Sequence, residues 1–328
     1  MYKFNTYICK KFGGINNIYS VEISRQKLLK NQLRIKVLAI GLSYIDVLMI
    51  KGTYQHKILP PFIPGNEVCG IIIEEKCDNK NLLQKKVIVN KKGGCFAEEL
   101  IAHKEDIIII PDCIKSSIAA GLFTSYLTGY TSIIKLGGIK FGENVLVTGA
   151  SGAVGIACLN ILEDLKANSI AVTSNIKKAN FISKFTTENI LIYDKFKKDN
   201  FSKYKNNIHV ILDINGLLKT ENILSSLKWG GKYIIIGFID KNITKISTNY
   251  ILIKGLQIIG IRAGQYLKQN KKIRPIIIKK VLNYLNKKNN QYFISESLPF
   301  SELKKGLFKL TNRKSMGKII IKTRYFHE

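Results

Sequence analysis

The sequence predicts an α/β protein in which a doubly wound parallel sheet is inserted into a β-rich domain. Apolar strands alternate with helical segments over residues 116–261, the pattern of a parallel sheet that is covered by helices on both faces. Residues 1–115 instead contain short strands separated by glycine and proline turns. Residues 262–328 are too few to form a core of their own. We therefore predict two domains, formed by residues 1–115 together with 262–328 and by residues 116–261.

The individual elements follow from the period of the apolar residues. In the β-rich domain we predict strands at residues 32–40, 68–74, 86–90 and 317–322, and a helix at 276–285. In the inserted domain we predict helices at residues 117–136 with a break near Gly129, and at 153–166, 176–185 and 217–227. Its strands are predicted at residues 144–148, 169–174, 190–193, 209–213, 232–237 and 256–261.

One turn of the inserted domain indicates a dinucleotide. An apolar run ends in small residues, and apolar residues then resume at helical spacing. The turn consists of Ala150, Ser151, Gly152, Ala153, Val154 and Gly155. Glycines here let the backbone approach a pyrophosphate, and the first N–H groups of the helix face the phosphates. Ala150 stands where glycine is usual, and a glycine-rich turn of some other α/β protein remains the alternative.

The strand predicted at residues 169–174 indicates which dinucleotide binds. An NAD site places a carboxylate near the end of this strand to hold the ribose 2′-OH. This chain has no carboxylate there and offers Thr173, Ser174, Asn175, Lys177 and Lys178 instead. Hydroxyl and ammonium groups suit a 2′-phosphate, which a carboxylate would repel, so we predict NADP(H). The alternative is that the two lysines are ordinary solvated residues of a lysine-rich chain.

The net charge of +29 raises the question of polyanionic partners. The lysines are spread over the whole length together with many isoleucines and asparagines, as A/T-biased coding produces. Because no basic block with interleaved aromatic residues is present, specific nucleic-acid binding is not expected. No apolar stretch approaches the roughly 18 residues of a membrane span, and the N-terminus has no apolar signal core. We expect a soluble, cytoplasmic protein without membrane contact.

Cysteine and histidine form no metal-binding or disulfide pattern. The six cysteines include no CxxC pair, and the four histidines share no ligand spacing with them. We predict free thiols and no metal site.

Six segments in order carry a family resemblance. They are GLSYIDVLMIKGTY at 41–54, LPPFIPGNEVCG at 59–70, GGCFAEE at 93–99, LTGY at 127–130, the turn at 150–155 and GIRAG at 260–264. Together they resemble the zinc-free quinone oxidoreductase branch of the medium-chain dehydrogenase/reductase superfamily, which includes ζ-crystallin. The resemblance covers nearly the whole chain. It implies a GroES-like β-rich catalytic domain with an inserted Rossmann domain.

The resemblance also implies chemistry without a metal. Zinc-dependent alcohol dehydrogenases of the superfamily have a cysteine and a histidine ligand where this chain has Ser43 and Asn66. Hydroxyl and amide groups are weak zinc ligands. Without a Lewis acid the acceptor must be intrinsically electrophilic, as a quinone or an α,β-unsaturated carbonyl is, and NADPH supplies the hydride.

Several site residues follow from the same resemblance. Tyr44 and Tyr54 are expected to line the acceptor pocket, where a phenol donates a hydrogen bond to a developing oxyanion; the alternative is that both only pack in the β-rich domain. The residues expected at the cofactor, besides the turn, are Thr128 at the nicotinamide, Ser174, Lys178 and Tyr193 at the 2′-phosphate, Gly237, and Arg262. Arg262 could instead contact the acceptor or cap its strand.

Two other functions are compatible with the sequence. The same fold and cofactor serve in reductases of 2-enoyl thioesters, and a ζ-crystallin-like protein can bind NADPH or RNA without catalysis. Relatives commonly pair through the edge of the nucleotide-binding sheet, so a homodimer is compatible with the resemblance.

Overall fold

The computed structural model describes residues 2–77, 81–184, 189–193, 201–216, 220–238 and 245–328. Its strands are β1 Lys3–Cys9, β2 Ile18–Ser24, β3 Gln32–Gly41, β4 Glu67–Lys76, β5 Lys86–Asn90, β6 Glu99–His103, β7 Ile107–Ile109, β8 Asn144–Val147, β9 Asn168–Thr173, β10 Asn189–Ile192, β11 Ile208–Asp213, β12 Leu227–Ile235, β13 Gln257–Gly260, β14 Ile294–Pro299 and β15 Lys318–Lys322. Its helices are α1 Tyr44–Lys51, α2 Ser116–Tyr130, α3 Ala153–Asp164, α4 Ile176–Ile182, α5 Thr220–Ser226, α6 Thr248–Lys254, α7 Ala263–Gln269, α8 Arg274–Leu285 and α9 Leu303–Thr311. Among the helices of these ranges, none combines the length and apolar character that crossing a bilayer needs.

The chain divides into two units whose borders differ from the predicted ones. Unit 1 comprises residues 1–123 and 285–328, and unit 2 comprises residues 124–284. Residues 262–284 therefore belong with unit 2, whereas the sequence pattern assigned them to the β-rich domain. One reason is aromatic packing inside unit 2, where the ring of Tyr284 stacks on that of Tyr126 at 5.3 Å. Residue periodicity carries no information on such a contact between distant segments.

Unit 1 is built on a seven-stranded sheet with the order β14-β15-β3-β4-β5-β7, to which β6 adds by pairing with β3. The four strands predicted for this region are all present in it. Leu33, Ile35 and Val37 of β3 are completely buried in the core of this unit. β1 and β2, which the apolar pattern did not predict, form a separate antiparallel pair.

The helix α1 was also absent from the predicted elements. It begins at Tyr44, after a capping box between Ser43 and Asp46, and ends at Lys51, where the C-cap residue Gly52 has a φ of +73°. The serine and the acidic residue three positions later are the sequence signal for such a start. This start places Tyr44 in the first turn of α1.

Unit 2 contains the predicted parallel sheet. Its six strands have the order β10-β9-β8-β11-β12-β13, and every neighbouring pair is parallel. The strand order reverses between β8 and β11, and open sheets of this type bind ligands outside the carboxyl ends of the strands at that point. The predicted α/β class, with a doubly wound sheet inserted in a β-rich domain, is confirmed.

The predicted break near Gly129 is wrong. α2 continues through Gly129 to Tyr130, and a π-helical stretch, Thr131–Gly137, follows it. A Cβ on Gly129 would lie 3.2 Å from Ile161 and 3.3 Å from Cys158 of α3, so this glycine permits close helix packing. Of the predicted helices at 176–185 and 217–227, residues 176–182 and 220–226 are helical, whereas 185 and 217–219 lie outside the described residues.

Candidate functional site

The turn between β8 and α3 is shaped by a glycine that the sequence motif did not emphasise. Gly149 has a φ of +61°, a conformation that side chains rarely adopt. The Ala150 amide then donates to the Val172 carbonyl of β9 at 3.1 Å, which fastens the turn to the sheet. The tight turn that the motif normally assigns to its first glycine is thus made one residue earlier, and Ala150 fits without strain.

Gly152 and Gly155 have different reasons to be glycine. A Cβ on Gly155 would lie 2.4 Å from the Gly149 carbonyl oxygen, so close helix packing requires glycine there. A Cβ on Gly152 would meet only that same oxygen, at an ordinary 3.4 Å, and the φ of Gly152 is −84°. Since the fold itself tolerates a side chain at 152, the space beside it is available to a ligand.

The beginning of α3 suits an anion. Gly152 is the N-cap residue and offers no side chain to the first turn. Ala153 and Val154 are partly exposed, and Ser151 lies buried beside them. The first N–H groups of a helix lack intrahelical partners and lie at its positive end, so phosphate oxygens fit this position.

A buried network that the sequence analysis missed holds the neighbouring loop. Thr148 Oγ1 donates to Asp213 Oδ1 at 2.6 Å, and the Tyr233 hydroxyl donates to Asp213 Oδ2 at 2.5 Å. The amides of Asn215 and Gly216 also donate to Asp213 Oδ1. Burial and the neighbouring carboxylate raise the pKa of Tyr233, so its hydroxyl stays protonated and keeps donating.

The Asp213 network matters because its loop touches the turn. Asn215 Oδ1 lies only 2.5 Å from where a Cβ on Gly149 would stand. The Asp213 carboxylate therefore fixes the position of the loop that lies against the turn between β8 and α3. An aspartate at the end of a buried strand, followed by Asn215 and Gly216, was the available sequence signal.

The end of β9 brings together the residues predicted for the 2′-phosphate. Ser174 is exposed, Lys178 is half-buried, and Asn175 caps α4 by accepting from the Lys178 amide at 3.0 Å. The Tyr193 amide donates to the Thr173 carbonyl at 2.7 Å, which holds Tyr193 beside the same strand end. Thr173 Oγ1 is buried there without a hydrogen-bond partner among the described residues.

Gly237 and Arg262 lie at the ends of the following strands, on the edge of the sheet that also carries the turn. The Gly237 amide donates to the Asp213 carbonyl at 3.3 Å. Arg262 follows β13, is exposed, and occupies the N-cap position of α7. Thr128 lies on α2, where its hydroxyl donates to the Thr124 carbonyl at 2.8 Å. Its predicted contact with a nicotinamide stays a prediction.

Tyr44 and Tyr54 belong to unit 1. Both are partly buried and pack against its hydrophobic core. Both also keep part of their surface exposed. Their predicted role at an acceptor stays a prediction.

Near Tyr44, unit 1 contains a buried polar cluster around Asp46. Ser43 donates to Asp46 Oδ2 from its amide at 2.7 Å and from its hydroxyl at 3.0 Å. Asn66 Nδ2 donates to Asp46 Oδ1 at 2.5 Å and contacts Met49 Sδ at 3.3 Å. Burial raises the pKa of Asp46 to about 6, against the opposing effects of the Ser43 and Asn66 hydrogen bonds and of Lys318.

Ser43 and Asn66 are thus engaged with a carboxylate at the two positions where zinc-dependent relatives hold their metal. In the part of the chain that the structure describes, no group of three histidine, cysteine, aspartate or glutamate side chains is arranged to hold a metal ion.

Comparison with known proteins agrees with this architecture. Residues 29–128 match the alcohol dehydrogenase GroES-like domain. The chain is 28% identical over 332 residues to quinone oxidoreductase-like protein 2 homolog of Nematostella vectensis, with 98% of this chain and 89% of that protein covered. It is 30% identical over 240 residues to human quinone oxidoreductase, with 70% of this chain and 71% of that protein covered. The chain belongs to the quinone oxidoreductase family.

This quinone oxidoreductase family member is also similar to a reductase with another acceptor and to a solved structure. It is 28% identical over 295 residues to acryloyl-coenzyme A reductase of Sulfurisphaera tokodaii, covering 78% of this chain and 86% of that protein. The quinone oxidoreductase of Thermus thermophilus, whose structure was also solved in complex with NADPH, superimposes with a TM-score of 0.79 at 22% identity, covering 97% and 99% of the two chains. That superposition confirms the fold.

Proposed function

We propose that this quinone oxidoreductase family member is an NADPH-dependent reductase that transfers a hydride to a quinone or a related α,β-unsaturated carbonyl without a metal. The observation that carries the proposal is the turn at the start of α3. A side chain at Gly152 would fit there without a clash, so space beside this glycine is open. Such space, next to the positive end of a helix, suits a pyrophosphate. The names of the relatives support the reaction class.

The residues at the end of β9 favour NADPH over NADH. No carboxylate follows this strand, so nothing there repels a 2′-phosphate. Ser174 supplies a hydroxyl, Lys178 an ammonium group and Tyr193 a phenol at this place. The hydroxyl of Thr173, a residue that is 5% exposed, has no hydrogen-bond partner within the described part of the chain and is a further donor for ribose or phosphate oxygen.

The cofactor supplies the hydride when bound, and the protein supplies position and hydrogen bonds. Tyr44 and Tyr54 offer phenol donors to the oxygen on which negative charge develops. Since hydroxyl and amide groups are weak zinc ligands and those of Ser43 and Asn66 are engaged with Asp46, an acceptor that needs no Lewis acid is favoured.

A 2-enoyl thioester is the second candidate acceptor, favoured by the similarity to an acryloyl-coenzyme A reductase. Its β-carbon accepts a hydride by the same chemistry, so the two candidates differ in the acceptor alone. As to partners, we propose a homodimer, because β13 forms an edge of the six-stranded sheet and offers its backbone to a second copy.

An assay panel tests the proposal. Purified protein is mixed with NADPH or NADH and with 1,4-naphthoquinone, 1,4-benzoquinone or a 2-enoyl thioester, and nucleotide oxidation is followed. We expect oxidation of NADPH with the quinones. Turnover restricted to the thioester would reverse the ranking of the acceptors. Absence of turnover with every acceptor, together with RNA binding that persists at physiological salt, would instead support the non-catalytic alternative.

A further inference from the structure

The side chain of Asp46 is more than a helix cap. It is completely inaccessible to solvent, yet it contacts two residues, Ser43 and Asn66, that are themselves partly exposed. One carboxylate oxygen accepts from the Ser43 amide and hydroxyl, and the other accepts from Asn66. The buried acid is therefore connected by hydrogen bonds to two residues that are partly exposed on unit 1.

The buried Lys318 lowers the pKa of Asp46, and it also contacts a second buried carboxylate. Lys318 of β15 is buried and pairs with the buried Glu67 of β4 at 3.5 Å. Burial raises the pKa of the Cys95 thiol, so the thiol is neutral. Lys91, just after β5, has the smaller opposite effect and lowers this pKa. Burial of Asp46 outweighs the charge of Lys318, which also pairs with Glu67, so Asp46 holds its proton to a higher pH than an ordinary aspartate does.

The Ser43 hydroxyl has two arrangements, depending on that proton. When Asp46 is ionised, the hydroxyl proton points inward along the 3.0 Å contact to Oδ2. When Asp46 is protonated, its own proton occupies the same contact, and Ser43 Oγ becomes the acceptor. The hydroxyl proton of Ser43 is then free to point to the exposed side. In both arrangements Asn66 and the Ser43 amide still donate to the carboxyl group.

We propose that Asp46 and Ser43 form a proton relay to the acceptor oxygen, in which Asp46 is the positioning residue and proton reserve and Ser43 the donor. The proposal rests on the proposed function. As the hydride bonds to the acceptor carbon, a π-electron pair moves to the acceptor oxygen, and the Ser43 hydroxyl proton is transferred to that oxygen. The Asp46 proton replaces it on Ser43, leaving a carboxylate. Water returns the proton through Ser43 after the product has left.

The test compares Asp46→Asn, Ser43→Ala and the control Asp106→Asn. Asp106 caps a helical turn of unit 1 through the His103 amide, as Asp46 caps α1, so it reproduces the loss of a capping carboxylate elsewhere. For the wild type with NADPH and 1,4-naphthoquinone, kcat is expected to fall by about tenfold per pH unit above a pKa near 6. Asp46→Asn and Ser43→Ala should lower kcat more than they change KM and should remove this pH dependence. Asp106→Asn should keep it.

A second measurement needs neither cofactor nor turnover. In protein with isotope-labelled aspartate, an infrared band of the protonated Asp46 carboxyl should titrate near pH 6, be missing in Asp46→Asn and shift in frequency in Ser43→Ala. A wild-type pH profile in Asp46→Asn that is folded by circular dichroism would overturn the relay. So would an Asp46 band that Ser43→Ala does not move. If the wild type reduces no acceptor, the proposed function fails, while the infrared titration still decides whether the two groups are coupled.

Discussion

The turn at the start of α3 and the cluster around Asp46 are built in opposite ways. In the turn, the backbone and empty space form the site, since Gly152 leaves room and the helix supplies N–H groups. Around Asp46, side chains form the cluster, the carboxyl group is completely buried, and the chemistry lies in its proton. The turn is therefore sensitive to added atoms, whereas the cluster is sensitive to changes of charge at constant shape.

The largest expected effect tests whether the cluster around Asp46 is sensitive to charge. An aspartate in the unfolded chain has a pKa of 3.8, and burial raises the pKa of Asp46 to about 6 in the folded protein. Between these two values the unfolded chain releases a proton that the folded state still holds. The contribution of this group to folding is therefore complete below about pH 4 and is lost as pH rises through 6. The wild type should lose about 3 kcal/mol of unfolding free energy over this range relative to Asp46→Asn.

Urea unfolding at several pH values measures this difference, with Asp106→Asn as the control. Parallel pH profiles for the wild type and Asp46→Asn would show that Asp46 has an ordinary pKa and that the cluster is not charge-sensitive.

The next effect tests whether the turn at the start of α3 is sensitive to added atoms. Gly155→Ala places a Cβ 2.4 Å from backbone and should lower the unfolding free energy by about 2 kcal/mol. Gly152→Ala meets only an ordinary contact and should change stability by about 0.5 kcal/mol or less, yet weaken NADPH binding. Denaturation and nucleotide titration of both variants measure this contrast. Unchanged NADPH affinity in Gly152→Ala would remove the phosphate from this turn.

Charge also matters at the end of β9, where Ser174 is exposed and Lys178 is half-buried. Lys178→Glu should weaken NADPH binding by about 1.5 kcal/mol, roughly tenfold, and leave NADH binding nearly unchanged. Lys184→Glu, the same change at an exposed position shortly after α4, is the matched control. Equal losses for the two nucleotides in Lys178→Glu would exclude a contact with the 2′-phosphate.

The smallest effect concerns the network that supports the turn. Tyr233→Phe removes the donor to Asp213 Oδ2 and should lower stability by about 1 kcal/mol, with a modest loss of nucleotide affinity. Thermal unfolding and calorimetry check both. An unchanged melting temperature would mean that the other donors to Asp213 are sufficient to hold the loop.

The residue pattern was a reliable guide where the chemistry is local. The six parallel strands and the helix start at Ala153 follow from apolar runs and small residues that are contiguous in the chain. The pattern did not predict α1, and the compact units divide residues 262–284 differently, because a short capped helix and a ring contact such as Tyr126 with Tyr284 have no apolar period. The pattern also gave no sign that Asp46 is buried, since burial is a property of the packed unit.

The sequence by itself determined the alternation of strands and helices in the parallel-sheet region, the glycine turn and the missing carboxylate after β9, because these depend on residues adjacent in the chain. Only the tertiary structure decided which glycine bends the turn, which one leaves room, and that Asp46 is buried against Asn66 and near Lys318. Space and desolvation arise from atoms that folding brings together over long separations, and a linear pattern does not contain them.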